Sequence, residues 1–237
     1  YKRQTILTGK FTGKVKEDAQ GNPTRWKQRW VVRGYQERFS EHFFRTNAST
    51  LGTESAFMMF SLAASNGWHL QLIDWANAYQ TGEVDNDAMY IQMPRGFEEY
   101  DSDGTEFVFQ LVGNIYGTRS AGRVFGRFRD TILFELGFVR FSTDRSVFYR
   151  RRGASFIFMA CFVDDCLTAT NDVGHLNEFF KELNQRVTCT MEPVTKFLGM
   201  TVTQENGYVC VDNRLTVQKL LETFNPVSYT HLRAHET

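Results

Sequence analysis

The sequence lacks most of the features that mark specialised protein classes. Among 237 residues there are only four cysteines and four prolines. Cys161, Cys166, Cys189 and Cys210 show no CxxC spacing, and the five histidines form no HExxH. Neither a zinc ligand set nor a disulfide framework is suggested, and reduced intracellular thiols are the expectation. Long hydrophobic runs are missing too. The longest apolar stretch, FIFMACFV, is well short of the roughly 20 residues of a membrane helix. The first ten residues, YKRQTILTGK, hold no signal-peptide hydrophobic segment, so no membrane partner is expected. No internal repeat and no low-complexity tract occurs, which excludes solenoids and biased linkers. Net charge is absent as well, with 27 Lys and Arg balanced by 27 Asp and Glu. That balance argues against a generic nucleic-acid binder, which usually carries a basic excess.

What is present is core-forming material and an uneven distribution of charge. A hydrophobic share of 42% and an aromatic share of 15% are ample for a packed core. Residues 1–50 hold eleven Lys and Arg against four Asp and Glu, a local surplus of +7 that the remaining residues offset. Such asymmetry suits a basic arm that meets phosphate and a second region whose carboxylates hold cations.

Local patterns give a coarse fold. Gln20-Gly21-Asn22-Pro23 punctuates two β-prone segments, predicting a basic hairpin. TESAFMMFSLAASNGW predicts a helix capped by Thr53, with Phe57, Phe60 and Ala64 on its apolar side and a stop at Asn66-Gly67. HLQLIDW alternates as a strand and delivers Asp74 at its end. Residues 81–112 are rich in turn formers, with short strands MYIQM and EFVFQLV between them. AGRVFGRFRDTILFELGF predicts a helix with Val124, Phe128, Ile132 and Phe134 to Leu136 as its apolar stripe. Arg123, Arg127 and Arg129 form its basic face, and Gly137 its stop. Strands SVFYRRR, SFIFMACFV and DDCLTAT follow, then a helix with Leu176, Phe179, Phe180 and Leu183 in register. KFLGMTVTQ and YVCVD read as further strands, and RLTVQKLLETF as a short helix. The order strand, helix, strand, strand, helix, strand predicts an α+β fold: a split βαβ sheet with helices on one face.

Within that order, two strands end in acid, one at Asp74 and one at the adjacent pair Asp164 and Asp165. As neighbours in one sheet they would bring like charges together, which is tolerable where a cation neutralises them. Oxygen ligands from one or two carboxylates plus substrate phosphate are the usual setting of Mg²⁺. In two-metal phosphoryl transfer, paired ions clamp the attacking and departing oxygens of an in-line displacement. An isolated Asp-Asp, by contrast, is most often a surface turn or helix cap.

Neighbouring blocks tip the balance. KVKEDAQGNPTRWKQRWVVRGYQE, SLAASNGWHLQLIDWANAYQTGEV, MYIQMPRGF, LVGNIYGTRSAGRVFGRF, LGFVRFSTDRSVF, FVDD and KFLGMTV occur in this order. In these blocks, over about residues 10–225, the sequence resembles the reverse transcriptase domain of copia-type retrotransposon polyproteins. The resemblance implies a right-hand polymerase: fingers at 1–50, the first part of a palm at 51–80, and a fingers insert at 81–118. A palm with the FVDD turn and primer grip would take up 119–205, with the start of a thumb or connection at 206–225 and the thumb cut off. The closing PVSYTHLRAHET, residues 226–237, reads as a translated sequencing adapter and is set aside, with His231 and His235.

By the same resemblance, Asp74 and Asp164 would be metal ligands, joined by the Trp75 backbone carbonyl, with Asp165 completing the catalytic cluster. Two Mg²⁺ ions are implied, with Mn²⁺ as a substitute. Tyr79 matches a steric gate against ribose, beside Asn77. Lys27 and Arg29, with Arg33 behind them, match basic positions near the triphosphate. Tyr116, Gly117 and Arg119 would lie nearest the nucleotide, and Phe197, Leu198 and Gly199 would form the primer grip. The implied partners are deoxynucleoside triphosphates, a primed RNA or DNA template, and the integrase and RNase H parts of a Pol polyprotein. The implied setting is intracellular: a cytoplasmic virus-like particle, with passage to the nucleus.

Two blocks depart from the family pattern. Tyr-Gly-Leu-Lys-Gln-Ala-Pro-Arg becomes Tyr116-Gly117-Thr118-Arg119-Ser120-Ala121-Gly122-Arg123, and Thr46-Asn47-Ala48-Ser49-Thr50 replaces Thr-Phe-Ser/Ala-Pro-Val. These departures support a rival reading, an inactive remnant that retains only nucleic-acid binding. A two-metal nuclease needs similar acids but gives no reason for Tyr79 or the basic hairpin.

Overall fold

Segments rich in Val, Ile, Phe and Thr, broken by Gly, Asn and Pro, dominate the chain, and strands dominate the fold. A computed structural model describes residues 5–17, 22–76, 89–205 and 207–224. β1 (Ile6–Leu7) precedes β2 (Gly9–Glu17) and β3 (Pro23–Val32). β2 and β3 pair antiparallel from Gly9 opposite Val32 to Glu17 opposite Pro23, as the hairpin expectation requires. Arg25, Lys27 and Arg29 sit at alternate positions of β3 and so share one face of this ribbon.

α1 (Thr53–Asn66) begins one residue earlier than Thr53 suggests, with Gly52 in the cap position. Its N-terminus is held from outside: Asp144 Oδ2 accepts from the Gly52 amide at 3.0 Å and from Ser55 Oγ at 2.6 Å. Gly67, at φ 65, ends the helix in the left-handed conformation that glycine tolerates best. The buried side is Ala56, Met59, Phe60 and Ala63, while Phe57 is exposed. Aromatics suggested a stripe turned by one position, because the small Ala56 and Ala63 face inward and let the helix approach the sheet closely.

β4 (His69–Trp75), β5 (Tyr90–Gln92) and β6 (Val108–Gln110) follow, and β1, β5 and β6 form a small sheet. Next come α2 (Ala121–Glu135), β7 (Val139–Arg140), β8 (Val147–Arg152), β9 (Ser155–Phe162) and β10 (Asp165–Thr170). The chain continues with α3 (Val173–Asn184), β11 (Cys189–Pro193), β12 (Lys196–Phe197), β13 (Met200–Glu205), β14 (Tyr208–Asp212) and α4 (Arg214–Phe224). Among the described residues no helix is long and apolar enough to cross a membrane.

The central sheet has the order β11-β4-β10-β9-β8-β7. β10 and β11 both run antiparallel to β4 and flank it, so β10–α3–β11 is a split βαβ unit with β4 in the gap. Alternation along the strands divides the core in two. Ile73, Trp75, Met159, Cys161 and Cys166 face α2 and α3 through Phe125, Leu133, Leu176 and Phe179. Leu70, Leu72, Ala160, Leu167 and Ala169 face α1 and the β12–β13 hairpin through Met59, Phe60, Phe197 and Met200. The fold is therefore mixed α+β, but its helices lie on both faces, correcting the one-face expectation. Both parities of β9 and β10 are apolar, and each demands cover. A second correction concerns α2: Arg129 is 2% exposed rather than on a basic face, and Phe134 is exposed.

Candidate active site at the end of the central sheet

The two acid-bearing strands are neighbours, and their register is specific. Asp74 of β4 stands directly opposite Asp165 of β10, which in turn stands opposite Phe162 of β9. Val163 and Asp164 form the two-residue turn between β9 and β10, and the Trp75 amide donates to the Asp164 carbonyl at 3.1 Å. This bond ties the turn to the end of β4. Val163 has φ 55, a left-handed conformation costing a β-branched residue about 1–2 kcal/mol. Its carbonyl accepts from Nη1 of the buried Arg129 at 3.3 Å. Strain held by surrounding bonds is a feature that clusters at functional sites.

Above the turn lies a cleft of about 640 Å³. One wall is β3, through Arg25, Lys27, Gln28, Arg29 and Trp30; the other is Asp74, Trp75, Ala76 and Asp164, closed by Ile115 and Tyr116. Two carboxylates thus face three cations across a polar space. The Arg29 guanidinium lies 4.5 Å from the Tyr116 ring centroid, a cation–π contact that orients it. The influence of Asp74 reaches its neighbour: burial first, and then the Asp74 carboxylate, push the Cys189 thiol up to about 12.

The walls are held together by close backbone contact. The Val32 amide donates to the Tyr116 carbonyl at 2.8 Å. Gly117 has φ 96, and a Cβ there would stand 2.1 Å from the Val32 oxygen; one on Gly34 would stand 2.1 Å from the Gly117 oxygen. Only glycines fit this approach. Arg119 locks it, donating from its amide to Glu37 Oε1 at 2.9 Å and from Nε to the Gly34 carbonyl at 2.8 Å. Burial raises the Glu37 pKa, and the amide and charge of Arg119 offset this only in part.

The structure therefore brings Asp74, Trp75, Asp164, Lys27, Arg29 and Tyr116 to one cleft. Asp165 pairs with Asp74 in the sheet but is not among the cleft-lining residues. Gly117 and Arg119 serve the latch behind Tyr116. Arg33 donates toward Thr8 Oγ1 at 3.4 Å, away from the cleft lining. Phe197 is buried edge-on to Phe60, and Leu198 (φ 50) and Gly199 (φ 78) form the turn between β12 and β13. Asn77 and Tyr79 lie outside the described residues. Arg25, Gln28, Trp30, Ala76 and Ile115 were not singled out in the sequence; for Arg25, the period-2 spacing to Lys27 and Arg29 was the available signal.

For a divalent metal, the chemistry of the donors decides the fit. Among the described residues no three His, Cys, Asp or Glu side chains form a group that would hold an ion alone. Mg²⁺ is bound through one or two carboxylates, with waters and substrate phosphate completing its shell. Asp74 and Asp164, hard oxygen donors on one cleft, fit an ion of that kind.

The sequence itself is similar to known proteins. Residues 2–232 match the family described as reverse transcriptase (RNA-dependent DNA polymerase). The chain is 31% identical over 215 residues to the retrovirus-related Pol polyprotein from transposon RE2 of Arabidopsis thaliana, covering 90% of this chain and 14% of that protein. It is 28% identical to the corresponding polyprotein from transposon RE1 of the same plant, over 92% of this chain and 15% of the relative. With the polyprotein from transposon TNT 1-94 of Nicotiana tabacum it shares 25% over 97% of this chain and 18% of the relative. The chain spans less than a fifth of the length of each of these three relatives. With a family match running over nearly the whole sequence, the chain belongs to the reverse transcriptase (RNA-dependent DNA polymerase) family.

Proposed function

We propose that this chain is the polymerising part of a retrotransposon Pol polyprotein, adding deoxynucleotides to a primer 3′ end on an RNA or DNA template. The observation that carries the reading is the facing of Asp74 and Asp164 by Lys27 and Arg29 across one cleft. In this reading β2 and β3 are fingers, the central sheet is a palm, and α4 begins a thumb or connection. Asp74, Asp164 and the Trp75 carbonyl hold divalent metal, with Asp165 supporting the turn from its place opposite Asp74. Mg²⁺, or Mn²⁺ in its place, supplies a lowered hydroxyl pKa at the primer end and neutralisation of phosphate charge.

The remaining work falls to the chain's own groups. Lys27 and Arg29, with Arg25 beside them, bind the triphosphate and stabilise the charge that builds on its oxygens. Tyr116 holds the Arg29 guanidinium in place by its ring face. Gly117 and Arg119 act one step back, fixing the wall that carries Tyr116. Tyr79 is the proposed gate against a 2′-hydroxyl, with Asn77 near it. Phe197, Leu198 and Gly199 steady the primer end. The natural companions are the integrase and RNase H parts of the polyprotein, in a cytoplasmic particle.

The test is extension of oligo(dT) on poly(rA) with dTTP and Mg²⁺. The chain extends the primer, and Asp74→Asn lowers the rate on the order of 10³-fold or more with an unchanged melting temperature. Equal rates in the two proteins contradict the assignment. Primer-template binding without any extension by the unaltered chain favours the inactive remnant.

A further inference from the structure

The sequence marks α2 as a basic helix, and the function proposed above uses none of that basicity. In the structure Arg123, Gly126, Arg127, Asp130, Thr131 and Phe134 follow one another at helical spacing along one side of α2 and line a groove of about 980 Å³. The segment Phe39–Ser49 contributes Arg45, and the β7–β8 region contributes Arg140 and Arg145. With Arg129 the groove has six arginines and one carboxylate, Asp130, in a protein whose overall charge is zero. Asp130 is already committed to Arg129 and Arg140. Arg45, Arg127 and Arg145 make no ion pair among the described residues, so three of the six arginines stay open to a ligand.

Two further features indicate the ligand class. The cations are all arginines, whose planar fork matches phosphate and stacks on rings, which a lysine ammonium does not. Exposed aromatic faces alternate with them: Phe39, Phe44 and Phe134 are 68%, 56% and 47% exposed. Phe39 packs edge-on to Phe43, and the Arg140 guanidinium lies 5.0 Å from the Phe134 ring centroid, but each ring keeps an exposed part. Guanidinium groups beside exposed aromatic rings are what single-stranded nucleic acid uses, one for the backbone and the other for the bases. The volume lies at the upper end of the roughly 300–1,000 Å³ of ligand clefts, more than one nucleotide fills.

The groove is separate from the cleft at Asp74. The two share no lining residue. α2 covers the sheet face of Ile73 and Trp75, whereas Asp74 alternates to the opposite face. We propose that this arginine groove is a second nucleic-acid site on the helix layer behind the cleft, holding a single-stranded segment by its phosphates and unpaired bases. The site does not depend on polymerase activity, and its test needs none.

Arg127 and Arg145 are exposed, so the double variant Arg127→Gln/Arg145→Gln keeps its fold, which a melting curve checks. Anisotropy of a labelled oligo(dT) is followed between about 50 and about 200 mM salt. The variant binds about 10-fold more weakly, and its slope of log affinity against log salt is shallower by about 1.4, two single-strand phosphate contacts at about 0.7 each. Lys27→Gln/Arg29→Gln adds its own loss independently, and a photoreactive thiouridine oligonucleotide cross-links to peptides containing Phe44 or Phe134. Unchanged affinity and slope in the Arg127/Arg145 variant overturn the proposal. So does a variant that loses binding only to phosphatidylserine vesicles, which would make the groove a lipid surface.

Discussion

His175 shows how a single residue couples this fold to pH. It is 1% exposed, and neither ring nitrogen has a hydrogen-bond partner among the described residues. Burial, and then the charges of Arg150 and Arg152, hold its pKa below the ordinary imidazole value, against the weaker pull of Asp172 and Glu178. The unfolded chain therefore binds a proton near pH 6.5 that the folded chain refuses. The stabilisation is complete above about pH 6.5 and is lost as pH falls from there through the lowered folded value. Urea unfolding should show stability dropping as pH falls below about 6.5, with a smaller drop in His175→Leu; equal slopes would remove His175 as the cause. In sequence this histidine is one polar residue on the apolar side of α3. Arg129 misleads in the opposite sense: its charge suggests a wet face, but Asp130 and the Val163 carbonyl let it lie buried. Neither partner is visible in a local pattern.

At the scale of elements, the contact that builds the cleft is the meeting of β3 with the turn before α2. The glycine geometry there makes a sharp prediction. Gly117→Ala combines a left-handed φ with a Cβ 2.1 Å from a carbonyl oxygen, and should destabilise by about 1–3 kcal/mol. Gly153→Ala, at φ 60 with nothing within 4 Å of its Cβ, should cost only about 1 kcal/mol. Equal losses in urea melts would mean that the latch is not tight. Strands β4, β9 and β10 and helix α3 were legible because their apolar periods are long and regular. β11 was not, because CTMEP lacks a strand pattern and is set by pairing with β4. The buried side of α1 was misread because alanines define it, and alanine weighs little in a search for hydrophobic stripes. The Gly34–Gly117 approach depends on residues far apart in sequence, so only the turn propensity of each glycine was readable.

For the whole molecule, the important fact is that a sheet covered on both faces leaves its acid-lined cleft, the proposed site, at its end. Helices and the β12–β13 hairpin cover the two faces; the acids sit where β4 finishes and the β9–β10 hairpin turns. That convergence could be expected from sequence, since each strand runs into its carboxylates. The basic wall was legible in composition, as the +7 surplus of residues 1–50, though not in position. The central claim is that Asp74 and Asp164 share a divalent ion. Anomalous scattering from crystals soaked in Mn²⁺ with a deoxynucleoside triphosphate tests it most directly. The expected result is a peak contacting both carboxylates that disappears in Asp74→Asn; a peak elsewhere, or one that survives this change, would rule out the shared ion.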